Sequence, residues 1–191
     1  MRLVFGPPAR YALAMQRIGM GYDSHRFAPG RPLVLGGVRI EHDLGLAGHS
    51  DADAALHALT DAILGALGED DIGQHFPDSD PQWKDADSAR FVRGAVDLAR
   101  SRGWGVVNCD LTVVTESPRL GPHKRAMKLR IAELLGVAAD QVAVKAKTNE
   151  RMGWIGRGEG LAVLAEVKAL FAFEVISQPV NDALVKVIAT Q

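Results

Sequence analysis

The run VVNCDLTVVTESPRLGPHKRAMKLRIAELLGVAADQVAVKAK, residues 106–147, changes pattern three times. Residues 106–115 are rich in Val, Leu and Thr and read as a strand, and the Ser117, Pro118 and Gly121 that follow read as a turn. Pro122 suits the first turn of a helix, predicted to run to about Leu135 before Gly136 stops it. QVAVKAK, residues 141–147, is again strand. Strand, helix and strand within one run define an α/β organisation.

Working outward, residues 17–23 predict a first strand, and LVLGGVRI at 33–40 a hairpin around Gly36-Gly37. The HRFAPGRP between them is turn-rich, which puts Asp23 and His25 near a strand end. A helix follows EHDLGLAGHSD, with Ser50 or Asp51 as its cap and Leu56, Leu59, Ile63 and Leu67 as its buried stripe. GEDDIGQHFPDSDPQW, 68–83, holds too many breakers and acids for a regular element, and a loop of that length favours function. Residues 87–101 are helical in spacing through Phe91, Val92, Ala95 and Leu98. TNERMGWIGRGEG, 148–160, reads as a glycine-punctuated loop and LAVLAEVKAL, 161–170, as the last strand. The predicted fold is α/β (α+β), a mixed β-sheet with helices packed on one face. Residues 1–15 read as an N-terminal extension and 171–191 as a C-terminal one. In the latter, FAFEVIS and PVNDALVKVIATQ fit either an edge strand with a short helix or a loosely attached tail.

Composition narrows the function classes. The 191 residues are 47% hydrophobic and 24% charged, ordinary for one globular domain with a real core. With 22 basic against 23 acidic residues, the net charge of -1 gives no electrostatic reason to expect nucleic acid. Trp83, Trp104 and Trp154 read as packing residues rather than a nucleic-acid stacking platform. Cys109, the single cysteine, lies in a strand-like run without a metal-ligand partner spacing and reads as a small buried hydrophobe. A reducing, cytoplasmic compartment fits. MRLVFGPPARYALAM is interrupted at Gly6–Arg10 and lacks a cleavage site, so no signal peptide is expected. No apolar run reaches the roughly 18 residues of a membrane span.

Asp23 and His25 are two residues apart, so on an extended strand both point to one face. His57 comes from the predicted helix, between Asp53 and Asp61 at four-residue spacing. Asp, His and His form a three-ligand set with an open fourth position, as in catalytic zinc sites. Spacing alone leaves another reading open: an aspartate that orients a histidine, and a histidine on a solvated helical stripe. Asp51, Asp53 and Asp61 either fix His57 from outside the ligand set or only cap and solvate the helix.

RIGMGYDSHRF, LAGHSDADAALHALTDAILGALGEDDIGQHFPDSDP and VKAKTNERMGWIGRGEG together resemble the 2-C-methyl-D-erythritol 2,4-cyclodiphosphate synthase family, in order and from about Arg17 to Leu170. The resemblance implies a catalytic domain over 16–170. It also implies a homotrimer with active sites between neighbouring subunits and a cytidine-diphosphate-linked substrate. The implied reaction converts 4-diphosphocytidyl-2-C-methyl-D-erythritol 2-phosphate to the cyclic diphosphate and cytidine monophosphate. The residues matching the family's zinc ligands are Asp23, His25 and His57; Glu150 matches the ligand of a second ion, Mg²⁺ or Mn²⁺. His49 and Ser50 match the pair that touches substrate phosphates, and Thr148, beside Asn149, a threonine at the nucleotide diphosphate. Asp71 and Gly73 match the residues that hold the methylerythritol hydroxyls, with Phe76 and Asp78 of the same segment also at the substrate. Pro118, Arg119, Leu120 and Gly121 fall where the family cradles cytosine. Trp154 and Arg157 complete the implied substrate set. Arg157 and Glu159 are placed by the resemblance near the trimer's central channel, with an isoprenoid diphosphate as a candidate occupant.

The chain departs from the family pattern in two places. The usual Ser-Asp-Gly-Asp turn is Ser50-Asp51-Ala52-Asp53, and Lys147 and Asn149 replace threonines found in some relatives. Lys147 either adds charge near a phosphate or ends a strand in solvent. His42, His75 and His123 read as structural or peripheral. Two other functions use the same residues: a metal-dependent phosphoester hydrolase, in which the open ligand position activates water, and a non-enzymatic nucleotide-binding protein.

Overall fold

The computed structural model describes residues 15–171. The two predicted extensions, apart from Met15 and Phe171, lie outside the described residues. β1 (Gln16–Ala28) opens the chain and is much longer than its apolar core suggests, so Asp23 and His25 sit within the strand and not at its end. The reason is pairing: β1 is antiparallel to β7 (Gly160–Phe171) along its length, with Asp23 opposite Val163 and His25 opposite Leu161. A long partner carries the ladder through residues of low strand preference.

The hairpin forms as expected, β2 (Leu33–Leu35) against β3 (Val38–Ile40), with Gly36 and Gly37 at φ 60° and 70°. A short β4 (Gly45–Leu46) pairs with the end of β1. The remaining strands are β5 (Trp104–Val114) and β6 (Val142–Lys147), and the main sheet runs β4-β1-β7-β5-β6. All neighbours are antiparallel except β5 and β6, which are joined by a crossover through α4 (Lys124–Leu135). The sheet is therefore mixed, and its helices cover one face.

α1 (Ala54–Leu67) is the central helix, and its cap is Asp53 rather than Ser50 or Asp51. The Asp53 carboxylate is fully buried and accepts the amides of Ala55 and Leu56, which caps the helix. It also accepts Gly36 and Gly37 at 2.8 and 2.6 Å, which ties the hairpin to the helix start. Four amides on one carboxylate outcompete what Ser50 or Asp51 offers. Leaving such buried donors unpaired costs about 1–3 kcal/mol each. The other end of α1 stops at Gly68, φ 76°, whose amide returns to Leu64 and Gly65.

The approach of α1 to β1 is unusually close. A Cβ placed on Gly19 would lie 2.0 Å from the Ala62 carbonyl oxygen, and one on Gly21 would lie 1.9 Å from that of Ala58. Gly19, Gly21, Asp23 and His25 alternate onto the same face of β1. The glycines therefore let the helix settle against the strand, and the next two residues of that parity face the helix's first turns.

α3 (Ala89–Ser101) and α4 pack beside α1 over the same sheet face, burying Phe91, Val92, Val96, Met127 and Ile131. Between α1 and α3, the segment expected to be irregular contains α2 (Ile72–His75) and a 3-10 turn at Pro81–Trp83. The acids thought to break it instead cap it: Asp71 accepts the Gln74 amide, and Asp80 that of Gln82. A second four-residue helix, α5 (Gly153–Gly156), interrupts the loop before β7. Cys109 is buried on β5, and burial, with Asp110 beside it, pushes its thiol up to about 12. The opposite sheet face is open and carries Ile18, Met20, Tyr22 and Leu164 at 74%, 66%, 54% and 41% exposure. Among the described residues no helix is long and apolar enough to cross a membrane.

Candidate metal centre

Asp23 Oδ2, His25 Nε2 and His57 Nδ1 converge. Each imidazole nitrogen lies 3.0 Å from the carboxylate oxygen, and the two nitrogens are 3.2 Å apart. Among the described residues this is the group of three such side chains whose donor atoms share one point. β1 supplies the first two from one face, and α1 supplies His57 from its first turn. The donor set of two imidazole nitrogens and one carboxylate oxygen suits a divalent ion of zinc type.

A hydrogen bond to a carbonyl fixes the tautomer of His25, and two hydroxyls orient His57. His25 Nδ1 donates to the Ala47 carbonyl at 2.6 Å, which leaves Nε2 with its lone pair toward the centre. His57 turns Nδ1 inward, and its Nε2 faces Ser88 Oγ at 2.8 Å and Ser50 Oγ at 3.1 Å. Partial burial opposes charge on Asp23 and on His25, but their mutual bond outweighs it. The Asp23 carboxyl is held well below its usual range by His25 and His57, and the His25 imidazole is raised above 6.5 by Asp23. Three groups arranged to hold a proton between them in this way are arranged to hold a cation there instead.

The centre opens onto a cleft of about 290 Å³ lined by His25, His49, Ser50, His57, Gly73, Phe76 and Asp78, all singled out from the sequence. Ile72, Trp83 and Phe91 line it as well. Trp83, read as a packing residue, meets Phe76 and Phe91 edge-on at 5.2 and 5.5 Å between centroids, so these rings build an apolar wall of the cleft. The 47–52 loop on the other side is clamped by Arg31, whose guanidinium donates to the Gly48 and Ser50 carbonyls. Ala52 holds that loop at φ 59°. Ser50 is buried, with its hydroxyl engaged by His57, Ser88 and the Ala52 amide, whereas His49 is exposed.

The remaining predicted residues are not part of this cleft within one chain. Asp71 caps α2. Asp61 does not reach His57 but accepts the Ile72 amide at 2.7 Å, positioning the Ile72–Gly73 backbone. Thr148, Asn149 and Glu150 follow β6 in a loop pinned by Glu116, which accepts the amides of Asn149 and Arg151. Thr148 Oγ1 donates to Glu150 Oε1 at 2.9 Å. Pro118–Gly121 lie between β5 and α4, with Leu120 buried. Trp154 is on α5, and Arg157 pairs with Glu159 at 2.6 Å on the surface. His42 and His75 make local contacts with Leu44 and Glu69. Sequence reasoning missed Arg31, Ile72, Ser88 and Phe91. Ser88 carries only the signature of a helix cap, and nothing in its spacing points to a histidine on another helix.

A mixed sheet with one helical face, and a three-ligand divalent-metal donor set between its first strand and central helix, defines the class of α/β protein in question. The sequence profile of the YgbB family matches residues 16–169, and the chain belongs to that family. It is 56% identical over 151 residues to the bifunctional enzyme IspD/IspF of Caulobacter vibrioides, covering 79% of this chain and 40% of that protein. The same identity over the same length relates it to 2-C-methyl-D-erythritol 2,4-cyclodiphosphate synthase of Xanthomonas axonopodis pv. citri, of which it covers 91%. The Plasmodium falciparum IspF–CDP complex superposes with a TM-score of 0.73 at 32% identity, covering 82% of this chain and 97% of that one. The chain thus spans less than half the length of the bifunctional relatives and nearly all of the single-function ones. The family resemblance read from the sequence is borne out.

Proposed function

We propose that residues 16–170 convert 4-diphosphocytidyl-2-C-methyl-D-erythritol 2-phosphate to 2-C-methyl-D-erythritol 2,4-cyclodiphosphate and cytidine monophosphate. The observation that carries this reading is the convergence of Asp23, His25 and His57 at the rim of a cleft, in a chain of this family. The CDP complex of a relative supports a cytidine-diphosphate-linked substrate.

In this reaction an oxygen of the 2-phosphate attacks the β-phosphorus. The bond from that phosphorus to the bridging oxygen breaks, and its electron pair departs with cytidine monophosphate. The attacking oxygen is already anionic, so no general base is needed and no water is consumed. Both reacting groups belong to one molecule, and holding them in contact is worth effective molarities of roughly 10⁵ M or more. Zn²⁺ at Asp23, His25 and His57 would polarise a phosphate oxygen and offset the charge that otherwise drives the two phosphates apart.

The rest falls to the chain. His49 and Ser50, on the loop clamped by Arg31, meet phosphate. Asp71 and Gly73 receive the sugar-alcohol hydroxyls, with Asp78 beside them, and the wall of Phe76 and Trp83 limits water. Thr148, Asn149 and Glu150 bind the nucleotide diphosphate, with Glu150 holding Mg²⁺ or Mn²⁺. Pro118, Arg119, Leu120 and Gly121 cradle cytosine, and Trp154 and Arg157 line the periphery. These three groups lie outside the His57 cleft of one chain, which favours a site completed by a neighbour in a homotrimer. The open apolar sheet face supports that assembly.

The test is turnover of the proposed substrate in ¹⁸O-water, with zinc and magnesium varied separately and products read by ³¹P NMR and mass spectrometry. Cyclic diphosphate and cytidine monophosphate without solvent oxygen are expected. Linear products carrying ¹⁸O would reassign the chain as a phosphoester hydrolase. Binding of CDP without turnover at full metal occupancy would make it a nucleotide-binding protein.

A further inference from the structure

Ser88 stands at the N-cap of α3, where a serine ordinarily accepts an amide from the helix's first turn. It makes no such bond. Its side chain is fully buried and turned away from its own helix, and Asp87 accepts the Ala89 amide instead. The Ser88 hydroxyl lies 2.8 Å from His57 Nε2 and donates to Asp51 Oδ1. Asp51 Oδ2 accepts the Ser88 amide at 3.1 Å, and Asp51 Oδ1 also takes the Asp53 amide at 3.2 Å. The carboxylate is thereby held on both oxygens by groups at the starts of α1 and α3.

Without a metal, His57 Nδ1–H can donate to Asp23 Oδ2 at 3.0 Å; the proton order that a metal ligand needs is set from the other end of this chain of contacts. An ionised carboxylate only accepts, so the Ser88 proton points to Asp51. Ser88 Oγ then has a lone pair to offer to a His57 Nε2–H at 2.8 Å. With its proton on Nε2, the imidazole has its lone pair on Nδ1, the atom 3.0 Å from Asp23 and 3.2 Å from His25. Ser50 Oγ also approaches Nε2, but at 3.1 Å and while accepting the Ala52 amide at 3.2 Å. Ser88 is the shorter contact and the one backed by a charge.

We propose that Ser88, oriented by Asp51, is a positioning residue for the metal centre: it sets the tautomer and ring orientation of His57 so that Nδ1 is presented as a ligand. This rests on the metal-centre reading above and adds a role for two residues outside the ligand set. Outer partners of metal-bound histidines typically carry 10- to 100-fold in affinity. Asp51→Asn probes the polarity of the relay, because its amide group can donate to Ser88 and turn the serine proton toward Nε2. That favours the Nδ1–H tautomer, which has no lone pair for a metal.

The experiment measures zinc affinity by chelator competition, and the d–d absorption of the cobalt-substituted protein, for the wild type, Ser88→Ala and Asp51→Asn. The wild type should bind one ion tightly. Both variants should bind the same number 10- to 100-fold more weakly, with altered cobalt absorption and unchanged circular dichroism. Equal affinity and an equal cobalt spectrum in Ser88→Ala would overturn the positioning role while leaving the metal centre intact. Failure of the wild type to bind an ion would overturn the centre itself. If the variants do not fold, ¹⁵N imidazole NMR of the zinc-loaded wild type decides: a slowly exchanging His57 Nε2 proton supports the relay, and a rapidly exchanging one contradicts it.

Discussion

Asp23 is the residue on which the centre turns, since both histidines address the same carboxylate oxygen. Its depressed pKa and the raised pKa of His25 fix a pH signature for the metal-free protein. The stabilisation from Asp23 is fully present above its unfolded value of about 3.9, and that from His25 below its unfolded value of about 6.5. Between those limits both contribute. Raising the pH through the elevated His25 value removes one contribution, and lowering it through the depressed Asp23 value removes the other. Urea midpoints of chelator-treated protein should therefore fall above about pH 6.5 in the wild type but not in Asp23→Asn; parallel profiles would refute the coupling. Removing a ligand is the second test at this scale. His57→Ala should lower kcat by about 100-fold or more, since Lewis-acid stabilisation is worth several kcal/mol. Its circular dichroism and self-association should not change, because His57 lines a cleft and does not fill the core. Activity within a few-fold of wild type at equal metal occupancy would remove it from the centre.

Elements bring these side chains together, and the close contact of α1 with β1 does most of it. Gly21→Ala puts a methyl group against the Ala58 backbone, which neither strand nor helix relieves by rotating a side chain. A loss of about 1–3 kcal/mol in unfolding free energy is expected, with weakened zinc binding because α1 moves His57 away from Asp23. A variant as stable as wild type, with equal metal affinity, would show that the close approach is not needed. Much of this arrangement was legible in the sequence. The alternation of β1 put Asp23 and His25 on one face, and the leucine stripe of α1 turned that helix toward the sheet. The N-terminal boundary of α1 was not legible, because Asp53 is chosen as cap by Gly36 and Gly37, which lie far away in sequence. Nor was α2, since the same acids serve as breakers in a loop and as caps in a short helix. The relay through Ser88 was hidden for a related reason: a serine before a helix looks the same whether its hydroxyl caps that helix or serves a neighbouring one.

At the scale of the molecule, helices cover one sheet face while Ile18, Met20, Tyr22 and Leu164 leave the other apolar and open. An open apolar patch of this kind marks an interaction surface, and the proposed homotrimer would cover it. If the proposed trimer uses this face, Met20→Asp should shift the protein from trimer toward monomer in sedimentation velocity without unfolding it, and should lower turnover by depriving each cleft of its neighbour. A trimer that survives the added charge would place the interface elsewhere. Every other part of the account depends on a cation held between Asp23, His25 and His57. Anomalous diffraction from zinc-loaded crystals on the two sides of the zinc edge tests this most directly. The account predicts a peak within bonding distance of Asp23 Oδ2, His25 Nε2 and His57 Nδ1; zinc-saturated crystals with no peak there, or with the peak on other residues, would contradict it.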